Sequence, residues 1–326
     1  MLISASRRTD IPAFYSPWLL NRLRAGEVLV RNPYNRRQVS RIFLDPAVVD
    51  CLVLWSKNPA PLLPYLHTLE ALGYPLVIHF TLTGYDRRLE PGLSDLDGRI
   101  ATFRALARSL GPERVLWRFD PILLTQTQDA EEVLERFTML AHHLQGYTHQ
   151  CSISFVSLYA KCRRQLAGID LRSIDDGEKQ RLGMRLNSLA RAHGIRLVAC
   201  CDTLLTETCG IEPASCIDAV QLGALLGCTL LHAKDTGQRP GCGCSVSIDI
   251  GAYDSCTHGC RYCYATTSAR TAIRNVAAHD PNSPLLIGHL QGDETIRQRE
   301  MVSLRRQQIS LFAQPPAAGE RLPPKR

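Results

Sequence analysis

The sequence predicts an α/β chain built on a single parallel sheet, closed or partly closed into a TIM-type β/α barrel. Seven short runs rich in apolar and β-branched residues recur along it, nearly continuous in apolar character, as strands covered on both faces require. Longer helix-like segments separate these runs, and no long polar linker or fixed-period repeat breaks the alternation.

In chain order the strand runs are 2–6 (LISAS), 51–55 (CLVLW), 76–83 (LVIHFTLT), 115–119 (VLWRF), 151–156 (CSISFV), 196–200 (RLVAC) and 245–250 (SVSIDI). Between and after them the helix-like segments are 18–24, 60–72, 95–110, 130–144, 174–193, 217–226 and 262–278. Residues 1–292 therefore read as one barrel-like domain that includes a cysteine-rich segment, 200–244. Residues 293–326 turn basic and then Pro-rich, and read as a tail with little core of its own.

Composition narrows the function. With 326 residues, 45% of them hydrophobic and 21% charged, the chain can bury a large core, so disorder as its main state is excluded. The net charge of +7 comes mainly from arginine, 33 against five lysines. These charges are dispersed, which makes them weak grounds for nucleic-acid binding. No apolar stretch approaches the roughly 18 residues needed to cross a bilayer. The opening MLISASRRTDIP lacks a secretory signal, so a cytoplasmic location is expected, with no membrane partner.

Thirteen cysteines in such a chain point to metal or redox use, because a reducing compartment keeps thiols free. Ten of them fall between Cys200 and Cys263. In a barrel-like sheet, working residues belong where strands end. The polar groups at those positions are Ser6, Arg7, Arg8, Thr9 and Asp10, then Ser56, Lys57 and Asn58, Thr81 and Thr83 with Tyr85 and Asp86, Arg118 and Asp120, and Ser157.

The sharpest signal is SVSIDIGAYDSCTHGCRYCYA, 245–265, where a strand runs into Cys256, Cys260 and Cys263 spaced C-x3-C-x2-C. Three thiolates so spaced can hold three corners of a cubane cluster and leave the fourth iron open to a small molecule. Tyr262 stands where an aromatic ring can lie against a planar ligand. A zinc site with His258 as fourth ligand uses similar pair spacing, but zinc knuckles usually present two separated ligand pairs on short turns.

This motif resembles that of radical S-adenosylmethionine enzymes. LVLWSKNPAPLLPYL, VIHFTLTGYDRRLEPGLSDLDGRIATFRAL and VLWRFDPIL, in that order, resemble the spore photoproduct lyase-like branch of that group. There the cysteine motif follows the first strand, whereas here it lies near the end, so the resemblance implies a circularly permuted barrel whose structural first unit is 245–278. SASRRTDIP at the start, with CGC, SIDIGAY and the cysteine motif at the end, makes nearly the whole chain similar to the bacterial domain family DUF1848.

The radical-enzyme resemblance implies a 4Fe-4S cluster on Cys256, Cys260 and Cys263, and S-adenosylmethionine bound by Tyr262, Ser56, Lys57, Thr81 and Thr83. Lys57 would pair with the methionine carboxylate. It also implies a reductant such as flavodoxin or ferredoxin. Glu90 and Arg99 match the lyase branch too, with a solvated surface ion pair as the plainer account. Arg7, Arg8, Asp10, Arg118 and Asp120 are candidates for gripping substrate, against a buried ionic network stiffening the barrel end. Cys200, Cys216, Cys242 and Cys244 form a candidate auxiliary site for a second cluster or for zinc, with Cys201 as alternative to Cys200. Cys228, in an apolar run, reads as core, and His79 as a satisfied core residue.

The leading expectation is an enzyme that cleaves S-adenosylmethionine reductively to form a 5′-deoxyadenosyl radical acting on an unknown substrate. The alternatives are a zinc-stabilised nucleic-acid-binding protein, and a barrel hydrolase or lyase with purely structural metal.

Overall fold

The computed structural model describes residues 1–158, 160–239 and 241–306. The chain begins with β1 (Leu2–Ala5), α1 (Ile11–Phe14), α2 (Ser16–Ala25), β2 (Glu27–Arg31), β3 (Gln38–Phe43) and β4 (Cys51–Ser56). A 3-10 turn (Ala60–Tyr65) leads into α3 (Leu66–Ala71), followed by β5 (Leu76–Thr81), α4 (Leu96–Leu110), β6 (Val115–Ile122), β7 (Leu124–Thr125), α5 (Ala130–Leu144) and β8 (Gln150–Phe155). Next come α6 (Ala160–Gln165), β9 (Leu171–Arg172), α7 (Asp176–Ala192), β10 (Arg196–Ala199), α8 (Thr203–Thr208), β11 (Glu212–Pro213) and α9 (Ala219–Leu225). The described chain ends with β12 (Ser247–Asp249), α10 (Ala269–Ala277) and β13 (Thr295–Gln298).

Eight strands form the main sheet in the order β11-β10-β8-β6-β5-β4-β1-β12, and every neighbouring pair is parallel. The last of these strands in sequence thus pairs with the first, Leu2 opposite Ser247 and Ser4 opposite Asp249. Beyond the paired strands, a backbone hydrogen bond from Ser245 to the Ile217 carbonyl (2.8 Å) ties the chain before β12 to the chain after β11.

Strand side chains alternate between two buried layers, which explains the near-continuous apolar runs. One layer is the main core: Ile3, Leu54, Phe80, Trp117 and Ile153 pack against helix residues such as Leu19, Leu69, Phe103, Phe137 and Leu186. Each such fully buried side chain contributes on the order of 1.5–3 kcal/mol. On the opposite face Leu2, Cys51, Val53, Val77 and Leu116 meet Ile217, Ala219 and Leu222, which plug that side below the strand ends. Trp55 and Cys228 pack partly buried against this plug.

The helices start where acidic side chains satisfy free backbone N–H groups, each cap contributing about 1 kcal/mol. Asp95, Asp129 and Asp175 accept from Gly98 (2.7 Å), Glu132 (3.0 Å) and Glu178 (2.8 Å). Two expected helices are altered. Pro61 and Pro64 cannot donate, and the first half of 60–72 tightens into the 3-10 turn. Segment 262–278 becomes helical only at Ala269, because the cysteine loop extends to the Ser268 cap, held by Asp254.

A smaller sheet, β13-β3-β2, was not expected from the sequence. It draws β13 from the segment read as tail, pairing Thr295 with Gln38. Further along, Ser303 Oγ (2.6 Å) and the Leu304 amide (2.7 Å) donate to buried Asp50, which also holds the amino terminus. The remainder of that tail, 307–326, lies outside the described residues.

Candidate metal centre

The carboxyl ends of the central strands surround one cavity of about 490 Å³. Its wall includes Cys256, Cys260 and Cys263 from the loop after β12, together with Cys200, Cys216, Cys242 and Cys244. Ser6, Arg7, Arg8, Thr9, Asp10, Ser56, Lys57, Thr81, Arg118, Asp120, Ser157 and Tyr262 line it as well. Most of the strand-end and cysteine residues singled out from the sequence therefore meet at one place. Asn58, Thr83, Tyr85, Asp86 and the Glu90–Arg99 pair are not on this wall.

The cysteine loop is held by its surroundings. Gly92 donates to the His258 carbonyl (2.9 Å) and Arg261 to the Leu89 carbonyl (2.9 Å), so 89–92 lies along the loop. A Cβ on Gly92 would come within 2.7 Å of the Thr257 and His258 carbonyl oxygens. Gly259 takes the left-handed conformation, φ +70°, which a side chain would strain. Buried His258 bonds through Nε2 to Asp10 Oδ2 (2.8 Å), which also accepts from the Lys57 amide (2.8 Å). Asp10 Oδ1 caps α1 through Ala13 (3.0 Å). Burial alone would raise the Asp10 carboxyl, but His258 and the Lys57 amide hold it below the usual carboxylate range.

Behind the loop sits a buried ionic group. Lys57 Nζ donates to Glu90 Oε1 (2.8 Å), as do Thr83 Oγ1 (2.8 Å) and the Tyr262 hydroxyl. Arg99 Nη1 lies 3.6 Å from Glu90 Oε2. Glu90 is 1% and Arg99 3% exposed, so the solvated surface pair is corrected: helix α4 carries Arg99 inward to meet the carboxylate. Two cations share one carboxylate, leaving a net positive charge beside Cys260. Burial opposes charge on Lys57, yet Glu90 more than offsets this and raises it.

The second thiol group is tighter. Cys200 and Cys216 Sγ are 3.7 Å apart, and Cys216 also bonds Cys244. Arg118 Nη1 donates to Cys216 Sγ (3.1 Å) and Nη2 to Asp120, while Arg239 approaches Cys200 Sγ (3.6 Å). Hydrogen bonds from Cys200 and Cys244 push Cys216 well below the ordinary thiol range, with the Arg118 charge aiding. Those same bonds push Cys200 and Cys244 up. Cys242 borders the cavity, and Cys201 Sγ is 4.0 Å from Cys200 but turns aside in a left-handed backbone.

The donor chemistry fits a metal group. All thirteen cysteines are free thiols, and burial pushes Cys256 and Cys260 up, which a bound cation would reverse. Among the described residues, no three His, Cys, Asp or Glu side chains converge on a single-ion position. Any metal reading therefore rests on the thiol rim as a whole.

Two contributors escaped the sequence reading. Asp249, at the end of β12, accepts from Ser4 Oγ (2.9 Å), Ser6 Oγ (2.7 Å) and the Arg7 amide (2.8 Å), which fixes the β1 loop. Its position at a strand end was the available signal. Arg239 lies in a loop whose approach to the cavity no local pattern announces. His79 is buried, stacked on Trp55 with centroids 4.3 Å apart, and bonded through Nε2 to the Cys216 carbonyl (2.7 Å). Burial pushes it down to about 4 and keeps it neutral.

The model of a domain of unknown function, DUF1848, matches residues 2–265, most of the chain. The chain belongs to the DUF1848 family. The DUF1848 match spans the eight-stranded sheet and ends just after Cys263, so both thiol groups lie within it. No curated protein and no solved structure matches this chain.

Proposed function

We propose that the chain is a radical S-adenosylmethionine enzyme on a permuted, partial β/α barrel. Cys256, Cys260 and Cys263 would hold a 4Fe-4S cluster, and Cys200, Cys216, Cys242 and Cys244 an auxiliary one. When bound, a reduced cluster supplies an electron that cleaves S-adenosylmethionine to methionine and a 5′-deoxyadenosyl radical able to take hydrogen from a substrate carbon. The observation carrying this reading is that the C-x3-C-x2-C loop, Lys57 and Arg118 border one cavity at the strand ends.

The residues then have defined tasks. Asp10 and His258 lock the cysteine loop to β1 and β4, which sets the thiol positions. Lys57, held by Glu90, keeps a cation next to Cys260 and opposes the accumulation of thiolate charge. Tyr262 packs beside that ammonium, with Lys57 Nζ 5.3 Å from its ring centre. Ser56 and Thr81 offer hydroxyls on the cavity wall for the cofactor. Arg118 and Arg239 neutralise the second thiol group. The apolar plug below keeps water from that side of the site, which favours radical chemistry.

Free thiols in this number suit a reducing compartment, hence the cytoplasm, with a flavodoxin or ferredoxin as electron donor. Zinc at the auxiliary thiols alone would leave the first assignment standing. After anaerobic reconstitution the protein is expected to bind iron and sulfide, show thiolate-to-iron absorbance, and release 5′-deoxyadenosine from S-adenosylmethionine on reduction. Cys260→Ala should lose that release while keeping its far-ultraviolet circular dichroism. Colourless wild-type protein, or unchanged release in the variant, rules the reading out.

A further inference from the structure

Most of the positive charge around the cavity is already engaged. Lys57 is spent on Glu90, Arg118 on Asp120 and Cys216, and Arg239 faces the Cys200 sulfur. Arg8 Nε has Asp249 at 3.9 Å. Arg7 differs: its Nη1 reaches only the Ser247 hydroxyl, at 3.5 Å, and its Nη2 is buried with no hydrogen-bond partner among the described residues.

A second orphaned donor lies beside it. The indole Nε1 of Trp55 is likewise buried and unpartnered. The Arg7 guanidinium carbon is 5.5 Å from the Trp55 ring centre, and that of Arg118 is 5.2 Å from it. Stacking on His79 fixes the ring, with 12° between planes. Both Arg7 and Trp55 line the cavity. A buried guanidinium nitrogen and a buried indole N–H are each costly to leave unpaired, and two neighbouring ones invite a single acceptor with two oxygens.

We propose that Arg7 and Trp55 form the recognition site for a carboxylate on the substrate, and that the substrate is a small organic acid. The assignment rests on reading this cavity as the reaction site and names the substrate class for it. Its volume of about 490 Å³ lies within the range of small-molecule sites. Arg7 can pair ionically while Trp55 adds a neutral donor, so the two together select a carboxylate over an uncharged carbonyl. The Arg7 main chain is held independently by Asp249 (2.8 Å), which positions the guanidinium whether or not the site is filled.

Succinate serves as the probe, titrated calorimetrically into anaerobic protein in metal-free and reconstituted forms, with succinamide as the uncharged control. Succinate is expected to bind saturably in both forms and succinamide not at all. Affinity should fall about tenfold or more in Arg7→Gln, less in Arg7→Lys, and measurably in Trp55→Phe. Melting curves establish that each variant is folded, and Trp55→Phe carries the test if Arg7→Gln is not.

Equal affinity in the wild type and the folded variants overturns the proposal. So does loss of succinate binding on metal loading, which gives Arg7 to the resident group, or competition by S-adenosylmethionine, which gives it to the cofactor. Failure of the wild type to assemble a cluster sinks the preceding reading instead, and leaves the metal-free titration to judge this one.

Discussion

Glu90 gathers four partners behind the cavity wall. It accepts from Lys57, Thr83 and Tyr262 on one oxygen and faces Arg99 with the other, while almost wholly buried. Removing its charge strands two cations in a region of low dielectric, so Glu90→Gln should destabilise the fold by about 3 kcal/mol or more in urea unfolding. Burial works against the ionised form, but Lys57, Tyr262 and Arg99 outweigh it and hold the carboxyl below its usual value of 4.5. A folded value below the unfolded one means stability is present above pH 4.5 and lost as pH falls through the folded value. Wild-type unfolding free energy should therefore drop on acidification below pH 4.5, with a shallower slope in Glu90→Gln. Parallel slopes would show that the carboxylate is not anchored by these partners.

Among the elements, the turn at 89–92 matters most for the thiol loop. Gly92→Ala forces a methyl group against two backbone oxygens at 2.7 Å, and backbone yields less readily than a flexible side chain. Overpacking of this kind costs about 1–3 kcal/mol. The variant should melt lower and, after reconstitution, retain less iron per chain than wild type, whereas a surface change such as Glu135→Ala, on the exposed face of α5, should keep its iron. All seven strands read from apolar runs are present, because most are buried on both faces and so carry nearly unbroken hydrophobicity; the edge strand β12 is the shortest of them, with Ser247 and Asp249 half-buried. Strands β2, β3 and β13 were not legible: Arg31, Arg41 and Arg297 interrupt them, since their sheet keeps much of its surface in water. The site was legible as far as strand ends predict it. The contact between Gly92 and His258, and that of Arg239 with Cys200, join residues far apart in sequence and leave no periodic trace.

At the scale of the whole molecule, strand order and chain order disagree by one cyclic shift, with β12 standing before β1. Met1 and the last stretch of the described residues meet at Asp50, which holds the amino group of Met1 and the amide of Leu304. Linking residue 306 to Met1 through a short glycine-serine bridge, and opening the chain between 238 and 242, should give a protein that folds with a melting temperature within a few degrees of the original. Failure to fold, with the bridge long enough, would mean that β12 is not interchangeable as an opening strand. The same arrangement governs biosynthesis. Of the eight strands, β1 is made before the others and keeps one hydrogen-bonding edge bare until residues 247–249 are made, roughly tens of seconds later at about 5–20 residues per second. During that interval the nascent chain exposes an unpaired edge to any neighbouring polypeptide. Of the thiols that would carry the metal, the three on the loop after β12 are also translated last, so a cluster on them could form only after the strands β1 to β11 have been made.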